Sequence, residues 1–197
     1  LAQKTFGDSQ NDHKGATKLK LGSPTFLSGK IDMLESVLNE RNTYELTPAD
    51  SRLVFEHMGW RRIAGLHAKN IPNRAHEYII KESLSSYHCD GILVHTDFGN
   101  DSSINHESDL TIKAYRYLSR EYLPANTIIA SKSPNYVRHT SIQREILFNA
   151  VCQKNYGCNM FLVGNESPIS ETSGSGIDKD TLLAISNDVG IEMIVFD

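Results

Sequence analysis

Apolar positions along this chain fall into two alternating kinds of run. Short, mostly unbroken blocks occupy residues 62–66, 91–94, 127–130, 159–163 and 191–196. Between them lie longer stretches, at 74–86, about 107–122, about 141–156 and about 178–188, in which apolar residues return every third or fourth position. In the first of these the stripe is Ala75, Ile79, Ile80 and Leu84. The short runs suit strands buried on both faces, and the periodic stretches suit helices with one buried stripe. Their alternation predicts an α/β domain, a doubly wound, Rossmann-like parallel sheet covered by helices on both sides. Ligands of such sheets bind beyond the carboxyl ends of the strands.

The chain divides near Pro48. Residues 1–46 are rich in Gly, Lys, Asp and Ser with short apolar patches such as Thr25, Phe26 and Leu27, and they read as loops and short strands. Thr47, Pro48 and Asp50 then supply a helix start, with an N-cap hydroxyl, a proline in the first turn and an acid at the third position. That helix runs to about Met58 and stops at Gly59. Residues 47–197 make up the α/β domain.

Polar residues able to bind a ligand gather after the strands. They are His67 to His76 after the first, His95 to Asp101 after the second, Ser131, Lys132, Arg138 and His139 after the third, and Gly164 to Ser167 after the fourth. The turn from 66 to 76 joins a strand's end to a helix N-terminus, where free N–H groups and the helix dipole favour an anion. Lys69, Asn70, Asn73, Arg74 and His76 add side-chain donors there. An equally good reading makes Asn73 a helix cap and leaves the charges to solvent. His95 reads equally well as a strand-end histidine with its bonds satisfied.

Composition narrows the field. The 197 residues are 39% hydrophobic and 22% charged, enough for a sizeable core, with net charge −4. That balance supplies no reason to expect nucleic acid or an acidic membrane as partner. No apolar run is long enough to span a bilayer and the start lacks a signal-peptide core, so the expectation is a cytoplasmic protein. The first residue is not Met, so an upstream segment is expected. Cys89, Cys152 and Cys158 are an odd number at no metal-ligand spacing, and the histidines form no zinc pattern. Lys69, Arg74, Lys132, Arg138 and Arg144 near one edge predict a cationic cleft in an acidic protein, suited to a nucleoside triphosphate. No G-x-x-x-x-G-K-[ST] and no G-x-G-x-x-G accompanies it, which excludes a P-loop enzyme and argues against a dinucleotide dehydrogenase.

These residues carry a resemblance. Residues 66–76 resemble the Q-x-R-N-P-x-H-R-A-H signature of sulfate adenylyltransferase (ATP sulfurylase), of the nucleotidyltransferase class with an H-x-x-H turn after the first strand. Phe6, Gly7 and Asp8, with His13, Lys14 and Gly15, resemble the end of that family's N-terminal domain, and residues 26–30 the strand leaving it. Leu46, Thr47, Pro48 and Ala49, then Gly59 and Trp60, resemble its L-T-P-x…G-W helix. Arg144 and Glu145 through Lys154, Asn155, Tyr156 and Gly157 resemble its R-E-A…K-N-x-G helix, and Phe161 to Gly164 its F-x-V-G strand. Gly190, Ile191, Glu192 and Met193 match its last strand.

The resemblance implies a β-rich, PUA-like N-terminal domain ending at residue 46, then the catalytic domain. It implies transfer of a nucleoside monophosphate, AMP from ATP, to sulfate or another small oxyanion, with pyrophosphate leaving alongside Mg²⁺. It also admits a homo-oligomer. Lys69, Asn70, Asn73 and His76 would take catalytic roles. His67, Ala68, Gly164, Asn165 and Glu166 would join them around the nucleotide, and His67, Lys69 and Arg138 would face the acceptor. The chain ends at Asp197, about where the family adds its adenine-recognising segment, so a fragment is expected and base specificity is not legible.

Several positions depart from the family. His67 and Lys69 stand where it has Gln and Arg, so the planar fork that suits an oxyanion is lost. Asn73 replaces the first histidine of H-x-x-H, and residues 164–169 replace G-R-D-H-A-G. A changed acceptor, a phosphate or phosphonate with a different triphosphate, accounts for that pattern. A non-catalytic nucleotide-binding relative accounts for it too.

Overall fold

A computed structural model describes residues 14–22, 25, 27–30, 32, 44–68, 70–98, 102–134, 142–164 and 179–196. Its elements are α1 (Lys14–Leu21), α2 (Pro48–Met58), β1 (Ile63–His67), α3 (Arg74–Ser85), β2 (Gly91–Phe98), α4 (Ser102–Tyr122), β3 (Ile128–Pro134), α5 (Ile142–Tyr156), β4 (Met160–Gly164), α6 (Lys179–Val189) and β5 (Glu192–Phe196). The five strands form one parallel sheet in the order β3-β2-β1-β4-β5. After β3 the chain crosses back over β1, so the direction of winding reverses between β1 and β4.

Alternate side chains of each strand feed opposite cores, because the side-chain period of a strand is two. Ala64, Leu66, Ile92, Val94, Met160 and Leu162 pack with Ile79, Ile80 and Tyr115 under α3 and α4. Ile63, Leu93, Phe161 and Val163 pack with Phe55, Ile146, Ala150 and Leu182 under α2, α5 and α6. Burial on both faces is why the strands read as unbroken apolar runs. A fully buried side chain such as Ile80 or Ile92 contributes about 1.5–3 kcal/mol.

Two close approaches set the helix positions. A Cβ on Gly65 would stand 2.4 Å from Gln153 Oε1, so glycine lets α5 sit directly on β1. A Cβ on Gly91 would stand 2.3 Å from the Trp60 ring, whose indole stacks on Phe55 at 5.6 Å.

The start of α2 matches the expected chemistry. The Thr47 hydroxyl accepts from Asp50 N at 3.2 Å, and the Asp50 carboxylate accepts from Thr47 N at 3.0 Å. Gly59 closes the helix at φ 72°, a left-handed conformation that disfavours a Cβ. Ser51 Oγ donates to the Tyr156 carbonyl at 2.7 Å and ties α2 to the end of α5. Beside the outer edge of β3, Lys132 N donates to Tyr44 O at 2.8 Å. Leu46 N donates to Ser131 Oγ at 3.1 Å, so the approach to α2 covers part of an otherwise open edge.

Four expectations change. Lys14–Leu21 is helical where loops and short strands were expected; Ala16 is buried while most described neighbours are polar. β2 and β3 run on through polar residues read as loop, because their ladder continues from His95↔Ser131 to Phe98↔Pro134. α4 begins at Ser102 rather than near 107.

Candidate functional site

The turn between β1 and α3 leaves the sheet at its carboxyl edge. Ala68 N donates to the His95 carbonyl at 2.8 Å, so β2 holds the first residue of the turn and that N–H is committed. Ala68 is buried, whereas Asn70, Ile71, Asn73 and Arg74 are exposed. Lys69, the centre of the expected acceptor site, lies outside the described residues, as do Arg138, Asn165 and Glu166.

Asn73 caps α3. Its Oδ1 accepts from Ala75 N at 2.9 Å and His76 N at 3.2 Å. Two of the helix's otherwise free N–H groups are thereby filled from inside the protein. His76 closes a reciprocal box, its Nδ1 standing 3.3 Å from Asn73 N and 2.9 Å from Asn73 Oδ1. These contacts require opposite protonation of Nδ1. Which of the two is made is set by the ring's tautomer, and either one holds the Nδ1 edge against Asn73 and leaves Nε2 on the far side of the ring. The ring is buried edge-on against Tyr115 of α4, centroids 6.0 Å apart. The capping role is thus realised, and it orients His76 as well.

Gly164 ends β4, the strand on the other side of β1. β1 and β4 are adjacent and parallel, so their carboxyl ends lie side by side where the winding reverses, the position at which open α/β sheets hold ligands.

Of the cations expected to line a cleft, Lys132 is otherwise engaged. Lys132 leaves the sheet toward α4, where its Nζ lies 2.9 Å from Asp109 Oδ1 with the lysine side chain 1% exposed. It is a buried ion-pair member rather than a cation open to a soluble ligand. Arg74 and Arg144 are exposed.

His95 is not the satisfied strand-end histidine that the sequence allowed. It is 1% exposed, and among the described residues neither ring nitrogen has a hydrogen-bond partner. Burial, reinforced by His67, lowers its pKa to about 3, so the ring is neutral near pH 7. Gln153 is a second buried polar group absent from the sequence reading, and a glycine inside β1 was its one local signal. The thiols are free; Cys89 and Cys158 are buried, Cys152 is half-buried, and burial pushes all three above the ordinary thiol range. That disfavours the nucleophilic thiolate. Among the described residues no group of three or more His, Cys, Asp and Glu could hold a metal ion, and no helix is long and apolar enough to cross a membrane.

A single parallel sheet wound in both directions, with polar turns at its point of reversal, defines an α/β protein of the Rossmann-like class. Comparison with known proteins makes the assignment narrower. The chain belongs to the ATP-sulfurylase family, whose profile matches residues 42–197. It is 34% identical over 166 residues to a probable bifunctional SAT/APS kinase 2 of Sorangium cellulosum, covering 84% of this chain and 28% of that protein. It is 32% identical over 165 residues to a sulfate adenylyltransferase of Symbiobacterium thermophilum, covering 84% and 41%. The chain thus spans less than half the length of these relatives. Its fold is similar to that of a hexameric APS kinase from Thiobacillus denitrificans, with TM-score 0.57 and 24% identity over 78% of this chain and 28% of that one.

Proposed function

We propose that the chain carries the nucleotidyl-transfer site of an ATP sulfurylase-like enzyme of the H-x-x-H class. It moves a nucleoside monophosphate, AMP from ATP, onto sulfate or another small oxyanion and releases pyrophosphate. The observation that carries the reading is the β1–α3 turn with Asn70, Asn73 and His76, standing at the reversal of winding in a chain of this family. Residues 1–46 belong, in the same reading, to the end of an N-terminal β-rich domain and its linker.

An acceptor oxygen attacks the α-phosphorus in line, the bond from α-phosphorus to the bridging oxygen breaks, and pyrophosphate departs. Mg²⁺ arrives with the triphosphate as part of the substrate. Positioning and charge stabilisation carry such a step. His76, with its Nδ1 turned to Asn73, offers Nε2 from a buried and oriented ring. Asn70 and Asn73 line the triphosphate together with the positive end of α3. His67 and Lys69 face the acceptor with Arg138, and the backbone of Ala68 and of Gly164 to Glu166 borders the nucleotide.

The test is pyrophosphate release from the protein incubated with each triphosphate and a panel of sulfate, phosphate and phosphonates. Release with one pair supports the reading, and nucleotide binding without release from any pair sinks it. One observation favours the second reading, a non-catalytic nucleotide-binding relative: Asn73 fills the helix N–H groups that an anion would use. Within the active-enzyme reading, Asn73→His tests that placement: a phosphate-facing residue should alter turnover or triphosphate affinity, and an unchanged profile counts against it.

A further inference from the structure

His67 and His95 are Cα partners in the parallel pairing of β1 and β2. Strand alternation sends both side chains to the α2–α5 face, on which Ile63 and Leu93 lie four and two residues earlier in their strands. Tyr156 of α5 meets the His95 ring edge to face, centroids 4.4 Å apart. His67 is half-buried at the mouth of the β1–α3 turn, and its Nε2 is buried. His95 lies wholly inside.

A neutral imidazole offers one N–H and one lone pair. With neither matched among the described residues, an apolar ring of the same shape would pack as well at lower cost. A histidine here therefore needs a polar atom to hold, and a buried water with two to four polar partners is the group that fits.

We propose that His95 is a positioning residue for His67: one buried water, held by the His95 ring, bridges to the buried Nε2 of His67 and holds that ring's orientation. On the proposed function, the fixed face of His67 is what the incoming oxyanion meets. The bridge between the rings does not depend on that reading.

The experiment is long-range ¹H–¹⁵N NMR of the imidazole nitrogens in the full chain at pH 7.5, for wild type and His95→Phe. Phenylalanine keeps the packing against Tyr156 and removes both nitrogens. In the wild type, the His95 ring proton should show a cross-relaxation peak to a long-lived water. In the variant the His67 Nε2 resonance should shift as that nitrogen loses the water. Unchanged His67 shifts in the variant, or no water peak at His95 in the wild type, overturns the proposal. The wild-type measurement decides even where His95→Phe does not fold. Acceptor KM then reads the functional half: it should rise about tenfold in His95→Phe with triphosphate KM unchanged, and His95→Asn should recover part of the loss. A protein that releases no pyrophosphate with any pair fails the functional reading, and the NMR result stands apart from it.

Discussion

Acid should destabilise this fold through His95 before it does so through the carboxylates. Burial, with His67 nearby, lowers the His95 pKa from 6.5 to about 3. Between those values the unfolded chain binds a proton that the folded chain refuses, so stability falls as pH falls through that window. Each pH unit within it is worth about 1.4 kcal/mol. From pH 7.5, where both states are almost wholly neutral at this residue, to pH 5.0, the loss from this one ring is about 2 kcal/mol. The assay is urea denaturation of wild type and His95→Phe at both pH values. Other groups, including Asp90, titrate in both proteins and cancel in the comparison. The wild type should lose about 2 kcal/mol more than the variant on acidification. Equal losses would show that His95 is open to bulk solvent or charged in the folded state, and the buried neutral ring would be refuted.

Three further outcomes are expected. Gly65→Ala, whose Cβ would stand 2.4 Å from Gln153 Oε1 and 2.8 Å from its Cγ, should destabilise by about 1–3 kcal/mol in urea denaturation. Adding Gln153→Ala should recover most of that loss. Asn73→Ala should cost about 1 kcal/mol through the lost cap. Asn73→Asp should keep the cap yet weaken triphosphate binding by charge repulsion, read by melting temperature and nucleotide titration. Asp90 Oδ2 accepts from Arg61 N at 2.6 Å and Arg62 N at 2.8 Å, and these bonds hold its carboxyl below the usual carboxylate range. Asp90→Ala should cost about 1 kcal/mol at pH 7, a modest figure because the group is solvent-exposed. Because the folded pKa lies below the unfolded one, the two proteins should converge in urea stability as pH falls through the acid range.

Interactions spanning three or four residues were open to the sequence alone. Thr47 and Asp50 make their reciprocal cap from positions three apart, and Gly59 ends α2 through its own backbone freedom. Helix stripes and strand runs likewise express a period of 3.6 or 2 in side chains that all seek the same core. The turn at 66–76 was legible because its motif is contiguous, although whether Asn73 caps the helix or faces a phosphate was not.

Tertiary structure decided the rest, because the deciding partners lie far apart in the chain. β2 and β3 extend through polar residues that look like loop, since each carries the other's ladder as far as Phe98 and Pro134. Lys132 looked like a free cation until Asp109 of α4 was placed 2.9 Å away. Gly65 signals a close approach without naming Gln153 as what approaches, and nothing near His67 announces His95. Strand order β3-β2-β1-β4-β5 made those two histidines neighbours and set the candidate turn at the reversal of winding. Local patterns specify which segments are strands. Their order in the sheet depends on how the connecting helices pack, a property of the whole domain that no short stretch of sequence contains.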